Sequence, residues 1–347
     1  VEVAARIHSA AVTSRLEVRE TTDVGECRRA AKRSAEGFGF DETMLGRISI
    51  VATELANNVL RHGGGGEIVV QVLDDGQVPV LEMLAIDRGP GMRNVDECLR
   101  DGFSTGGTPG TGLGAISRLS DTFDVHSQEG KGAVVVSRIA RSRERTQVPA
   151  QATAALAFGA LSVPLAGETE CGDLWRIADG DTRLGVLIVD GLGHGPLAAA
   201  AARDAAQAFV KEPLQEPASV MQGLHRALMG GRGAAGACAR LHVHESKVFY
   251  AGVGNICGSL ADAQGARGMV SHNGTLGSQA PRTQQFVYDW PTDGLVVMHS
   301  DGLSARWRLA EYPGLFTRHP AVIAGVLYRD FARKRDDATV LVMRCPR

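Results

Sequence analysis

Residues 41–62 read DETMLGRISIVATELANNVLRH, and this stretch decides how the first half of the chain folds. Leu45, Ile48, Val51, Leu55 and Val59 recur at steps of three or four, the apolar stripe of an amphipathic helix. Asp41 stands where a side-chain oxygen can cap the first turn. The run GGGG at 63–66 ends the helix. Glu54 and Asn58, four residues apart, share a second face. Alone, that pair is an ordinary solvated helix surface.

The flanking sequence makes it more specific. Two strand-like runs follow, Glu67–Leu73 and Val80–Asp87. The second leads into DRGPGM, which puts Asp87 at a strand end ahead of Gly89 and Gly91. Residues 101–119, DGFSTGGTPGTGLGAISRL, form a glycine-rich loop opening into a short helix. TFDVHS and AVVVSRI, joined by the turn EGKG, close the unit with two more strands. The chemistry of this order is coherent. An Asn oxygen is a fitting hard donor for Mg²⁺, and a carboxylate one turn away can polarise a nucleophile. A buried Asp can accept from the exocyclic amine of adenine. Glycines let backbone N–H groups approach phosphates at a helix N-terminus.

The second half carries aspartates at strand ends. GETECGDLW contains Asp173. RLGVLIVDGLGHG is an apolar strand ending in Asp190-Gly191, followed by the Ala-rich helix PLAAAAARDAAQAFV. DGLVVMHSDGL ends in Asp301-Gly302, and RDDATVLVM sets Asp336 and Asp337 before a last strand. Any one Asp-Gly is an ordinary turn. Together they offer the oxygen donors that suit Mg²⁺ or Mn²⁺, and two such ions could aim a bridging water at phosphorus.

Length and composition frame these sites. At 347 residues the chain is long enough for two domains, each with its own core. The stretch RSRERTQVPAQAT at 141–153 reads as a linker between domains at 1–140 and 154–347. No internal repeat relates the halves. A formal net charge of −2 argues against a broad nucleic-acid surface. No apolar run approaches a membrane span, and VEVAARIHSA lacks the layout of a secretory signal. Cysteines 27, 98, 171, 238, 257 and 345 are scattered without a CxxC, as expected of reduced thiols in a cytoplasmic protein.

On TELANNVLRHGGGGEI, DRGPGM and DGFSTGG–GTGLG–RLSD, residues 16–140 resemble the GHKL ATP-binding fold of histidine kinases. They are most similar to its anti-sigma and serine-kinase branch, the RsbT-type switch kinases of bacterial stress signalling. The resemblance implies an α/β sandwich, a mixed sheet with helices on one face, binding ATP with Mg²⁺. It implies Glu54 as general base, Asn58 as Mg²⁺ ligand and Asp87 as adenine reader. Gly89 and Gly91 would shape the pocket, Gly110, Gly112 and Gly114 line the triphosphate, and residues 92–110 form a short lid. One position departs from the family pattern: Ala133 stands where a Thr usually helps bind adenine through water.

Residues 157–345 resemble PPM-type Ser/Thr phosphatases of the SpoIIE branch, on GETECGDLW, VDGLGHG, YAGVGNICG, NGTLG, HSDGL and DDATVLV in order. The form AGVGN is similar to the small RsbX-like group. The resemblance implies an αββα sandwich holding two Mn²⁺ or Mg²⁺. Asp190 would bridge both ions, the Gly191 carbonyl would serve one, and Asp301 and Asp336 would hold the other. Asp173 would bind directly or through water, with Asp337 behind the ligands. His194 is either a phosphate donor or a turn histidine, and His299 is structural. Asp190 and Asp301, with Glu54 in the other half, are the catalytic candidates.

The expectation is thus an α+β protein of two domains with opposed chemistries. It would phosphorylate and dephosphorylate Ser/Thr of a STAS-domain antagonist in a partner-switching or stressosome-like pathway. A sigma factor, or a downstream phosphatase activated by the switch domain, would be a further partner; neither nucleic acid nor membrane is expected. The alternative is an anti-sigma factor, or a silent nucleotide-binding switch, fused to a phosphatase that is the one active enzyme.

Overall fold

The structure is a computed structural model describing residues 5–99, 112–142, 157–180, 182–278 and 282–344. The first half runs β1 (Arg6–Val18), α1 (Thr21–Glu36), α2 (Glu42–Arg61), β2 (Gly66–Asp74), β3 (Val80–Asp87), α3 (Val95–Cys98), α4 (Gly112–Leu119), β4 (Thr122–Gln128) and β5 (Gly132–Ala140). The second half begins β6 (Phe158–Val163), β7 (Asp173–Asp179), β8 (Arg183–Gly191), α5 (Pro196–Lys211), α6 (Pro217–Ala227), β9 (Ala234–His242) and β10 (Lys247–Val253). It ends β11 (Cys257–Ala261), β12 (Ala266–Met269), β13 (Ser271–His272), β14 (Phe286–Asp289), β15 (Leu295–His299), α7 (Pro320–Phe331) and β16 (Ala338–Arg344). Two compact units form. The N-terminal unit is Ala10–Val148 with Tyr312–Arg329, and the C-terminal unit is Val1–Ser9, Pro149–Glu311 and Asp330–Arg347. The units therefore interleave along the sequence instead of meeting at one boundary. The linker expected at 141–153 lies mostly outside the described residues.

In the N-terminal unit the strand order is β1-β2-β3-β5-β4. β2 pairs antiparallel with β3, β3 with β5, and β4 with β5. Strand alternation sends Ile68, Val70, Val72, Leu81, Met83, Ala85, Val135 and Ile139 to one face. There they pack on Ile48, Val51, Leu55 and Val59 of α2 and on α1. Each such side chain taken fully out of water contributes about 1.5–3 kcal/mol. Asp41 caps α2 as expected, its Oδ1 accepting from the Met44 N–H at 2.8 Å.

The opposite face is also apolar in its centre, with Leu84, Ile86, Val134 and Val136 all buried. α7 lies against it. Gly325 sits so close that a Cβ there would be 2.7 Å from Val134 Cγ1 and 3.3 Å from Leu84 Cδ2. The His319 N–H and the Arg318 guanidinium both donate to Asp124, at 2.6 and 3.3 Å. On the same face Glu82, fully buried, accepts from Gln71 and Arg138 at 2.5 Å each. The sequence reading put helices on one face of this sheet; α7, from the far end of the chain, adds a layer on the other. That explains VLEMLAI and VVVSRI, since strands covered on both faces read as near-continuous apolar runs.

The C-terminal unit stacks two sheets. The first runs β13-β10-β9-β8-β7, with β14 also on β10 and Arg6–His8 of β1 paired to β7. The second runs β12-β11-β15-β16-β6. Phe158 of β6 and Trp175 of β7, both buried, meet between them with ring centroids 5.8 Å apart. Ala201, Ala202, Ala205 and Phe209 of α5 and Met221 and Leu224 of α6 pack on Leu187, Val189, Cys238 and Ala251 of the first sheet. The alanines let α5 settle against the end of β8, where a Cβ on Gly191 would lie 2.2 Å from the Ala198 carbonyl.

Candidate active sites

In the N-terminal unit, α2 carries Glu54 and Asn58 one turn apart, and the start of α4 comes down onto both. A Cβ on Gly112 would stand 3.0 Å from Glu54 Oε2 and 3.4 Å from Asn58 Oδ1. Only glycine leaves that space open, beside N–H groups at a helix start that favour anions. Gly114, two residues into α4, is buried. Gly110 and most of the expected lid lie outside the described residues.

Asp87 ends β3 in a glycine-lined recess. Its Oδ1 accepts from the N–H of Gly89 at 2.9 Å and of Ala133 at 3.2 Å. A Cβ on Gly89 would sit 2.7 Å from Gly63 Cα, and one on Gly132 only 2.2 Å from the Asp87 carbonyl oxygen. Gly91 has φ +74°, a left-handed conformation that favours glycine, and packs against the Gln128 carbonyl. Burial raises the Asp87 carboxyl above its ordinary value, against the pull of the two N–H groups. Among the described residues both hydrogen bonds use Oδ1, which leaves Oδ2 for an outside donor. Ala133 keeps its backbone bond to Asp87, so the departure from the family pattern costs a hydroxyl and not the frame of the recess. The residues fit a purine nucleotide with Mg²⁺: an acceptor in a narrow slot, an amide oxygen, and a glycine-opened helix start.

In the C-terminal unit, the β7–β8 register sets Asp173 directly opposite Asp190. Asp301 follows β15, and Asp336 and Asp337 precede β16, the neighbouring strand. Burial, with Asp301, Asp336 and Asp337 nearby, pushes the Asp190 carboxyl up to about 7. Burial and Asp190 push Asp173 well above the carboxylate range. The hydrogen-bond partners of the group are neutral. Ser300 donates to Asp173 at 2.6 Å, Asn255 to Asp301 at 2.7 Å, and the Leu165 and Gly172 N–H groups to Asp337 at 2.7 Å each. Among the described residues Asp190 has no side-chain hydrogen bond, and no three His, Cys, Asp or Glu groups close into a finished metal cage. Crowded carboxylates with an unpartnered member at their centre fit hard divalent cations, which take oxygen donors and keep some water. Asp337 holds the 165–172 loop with both oxygens.

Other candidates resolve by geometry. His299 is buried; its Nδ1 lies 2.8 Å from the Ser300 carbonyl and its Nε2 3.3 Å from Trp307 Nε1. A neutral ring protonated on Nδ1 satisfies both contacts, and burial lowers its pKa, so His299 is structural. His194 is exposed and pairs through Nδ1 with Glu168 Oε1 at 2.7 Å. Burial pushes the Cys171 thiol up and that of Cys238 to about 12, so neither supplies a thiolate. Sequence reading passed over Asn255 and Ser300. Both lie inside quoted motifs, AGVGN and HSDG, but nothing local shows which carboxylate each would meet. Among the described residues no helix is long and apolar enough to cross a membrane.

Comparison with known proteins bears on both sites. The histidine kinase-like ATPase domain matches residues 18–139, and stage II sporulation protein E (SpoIIE) matches residues 180–346. The serine/threonine-protein kinase RsbT of Bacillus subtilis (strain 168) is 33% identical over 113 residues, 33% of this chain and 85% of that protein. The phosphoserine phosphatase RsbX of the same organism is 24% identical over 142 residues, 40% of this chain and 70% of that protein. A chain solved in work on the bacterial stressosome as a modular system superposes with a TM-score of 0.51 at 27% identity, covering 55% of this chain and 99% of its own length. The chain therefore belongs to the histidine kinase-like ATPase family that includes RsbT, and carries behind that domain one of the SpoIIE phosphatase type.

Proposed function

We propose that the chain is a bifunctional regulator that phosphorylates Ser/Thr of a STAS-domain antagonist with its residues 1–140 and removes that phosphate with residues 154–347. The observation that carries this reading is the pairing of two separate centres in one chain. One is the recess of Glu54, Asn58, Gly112 and Asp87; the other is the carboxylate group around Asp190. In the first, Asp87 and the Ala133 and Gly89 amides orient the adenine of ATP. Asn58 would hold Mg²⁺, and the α4 N-terminus receives the phosphates. Glu54, beside that helix start, orients the partner's hydroxyl and takes its proton.

In the second, Asp173, Asp190, Asp301, Asp336 and the Gly191 carbonyl would hold two Mn²⁺ or Mg²⁺. When bound, such ions supply Lewis acidity and an acidified water for attack on phosphorus. Ser300 and Asn255 fix the carboxylates of Asp173 and Asp301, and Asp337 fixes the loop beside them. Carrying both centres on one chain keeps both at high effective concentration around one docked target. The homologues RsbT and RsbX, by their names a kinase and a phosphatase, support this pairing of activities. A sigma factor or a downstream phosphatase is the further partner such a switch would act on, in the cytoplasm.

The test uses γ-labelled ATP, Mg²⁺, Mn²⁺ and a STAS protein from the same genome. Label should build on the STAS protein with Asp190→Asn, fade with wild type and be absent with Glu54→Ala. One observation favours a second reading. Without a hydroxyl at Ala133 the N-terminal unit could bind nucleotide without turnover, as a switch. Dephosphorylation by wild type, with ATP binding but no label in Asp190→Asn, would establish that reading instead.

A further inference from the structure

A groove of about 780 Å³ opens in the C-terminal unit beside Asn255, the residue whose amide donates to Asp301. Its floor is the β11–β12 hairpin, where register puts Ser259 opposite Gly268 and Gly258 opposite Met269, with Ala266 further along β12. One wall is the segment 305–310. Trp307 is buried in it and held by its bond to His299 Nε2, and Arg308 is exposed on the rim. The hairpin is closed at its tip, where Asp262 Oδ1 accepts from the N–H groups of Gln264 and Gly265 at 2.8 and 2.9 Å. β12 is the edge strand of its sheet.

We infer that this groove seats the extended polypeptide flanking the phosphorylated residue of a protein substrate, with an acidic side chain of that segment against Arg308. The inference rests on the phosphatase reading of the Asp190 centre. Three features commit it to that occupant. The groove shares Asn255 with the carboxylate centre, so a chain whose phosphate reaches Asp301 continues into it. Ser259, Gly265, Ala266 and Gly268 line its floor with small side chains beside the edge strand β12, which suits main-chain contact by an extended segment. Of the two charged residues that line it among the described residues, Asp262 commits its Oδ1 to the N–H groups of its own hairpin, and the exposed Arg308 guanidinium complements a carboxylate.

The test exploits Gly268. A Cβ added there meets nothing within 4 Å, so Gly268→Leu obstructs the groove without disturbing the core. Wild type, Gly268→Leu and Arg308→Glu would be compared on p-nitrophenyl phosphate and on phosphoserine peptides with acidic or basic flanks, with thermal melts as a folding control. The expected result is a rise in KM of about tenfold for peptides with Gly268→Leu, as for loss of a contact at an interface centre. Turnover of p-nitrophenyl phosphate should be unchanged. Arg308→Glu should reverse any preference for acidic over basic flanks. Equal KM for peptides in wild type and both variants, with p-nitrophenyl phosphate still turned over, would overturn the groove assignment alone. So would a change in elution volume in Gly268→Leu with no change in peptide KM, which would mark β12 as a contact between copies. Failure of wild type to hydrolyse either substrate with Mn²⁺ or Mg²⁺ would overturn the phosphatase reading itself and this inference with it.

Discussion

Asp173 and Asp190 face one another across neighbouring antiparallel strands, Asp173 buried and Asp190 half-buried. Like charges directly opposite in a sheet oppose folding. With its carboxyl pushed up to about 7, Asp190 above that pH is an ionised group that the metal-free fold would hold more comfortably protonated. Asp190→Asn removes that charge. At pH 8 in chelator the variant should melt a few degrees higher than wild type, since about 1 kcal/mol moves a domain of this size by roughly 2–4 °C. Its phosphatase activity should fall on the order of 10²-fold or more, as when a group stabilising transition-state charge is lost. A lower melting temperature in chelator would show that Asp190 supports the fold instead of straining it.

At the nucleotide recess the close approach of Gly112 to Glu54 and Asn58 separates binding from turnover. Gly112→Val puts methyls into the space beside both side chains and should abolish binding of a fluorescent ATP analogue. Glu54→Gln keeps the shape and removes the base. It should leave that binding within about threefold and lower phosphotransfer about 10²–10⁴-fold. Loss of binding in Glu54→Gln, or normal binding in Gly112→Val, would contradict the geometry.

Gly325 is where α7 comes closest to the sheet of the N-terminal unit. Gly325→Leu forces a side chain into Val134 and Leu84, and overpacking of this kind costs about 1–3 kcal/mol. Urea unfolding should show the loss as a lower midpoint. An unchanged midpoint would mean that α7 is free to lift from Val134.

How much of this was legible in the sequence differs by level. The stripe from Leu45 to Val59, the Asp41 cap and the strands at Val80–Asp87 and Gly132–Ala140 stand in the structure where period and punctuation put them, because each is set by neighbours a few residues away. The places of Asp87, Asn58 and Asp190 in the fold were readable because each ends an element or holds a fixed position on one. What could not be read is pairing across distance. α7 carries an ordinary apolar run, and nothing in PAVIAGVLYRDF says that its Gly325 meets Val134. The signal was in the sheet instead, where both faces of β3 and β5 are apolar and so call for a second cover. Asn255 reaches Asp301 across 46 positions of sequence, through strand register that no local pattern encodes.

His126 offers a check on that second cover by pH. It is buried on β4, with Nε2 3.2 Å from the Pro313 carbonyl and its ring beside Tyr312 at 6.3 Å. Burial holds its pKa below the ordinary 6.5, aided by Arg329 and Arg318 and opposed by the Pro313 carbonyl and Asp124. The unfolded chain takes up a proton near 6.5 while the folded ring does not. Stability is therefore full above that value, falls as the pH drops through it, and stops falling below the depressed folded value. His126→Gln keeps a donor for the Pro313 carbonyl and cannot titrate. Urea midpoints at pH 7.5, 6.5 and 5.5 should fall less steeply toward acid in the variant than in wild type. Parallel slopes would mean that His126 is as free to protonate in the folded protein as in the unfolded chain, and that Tyr312–Arg329 does not seal this face of the sheet.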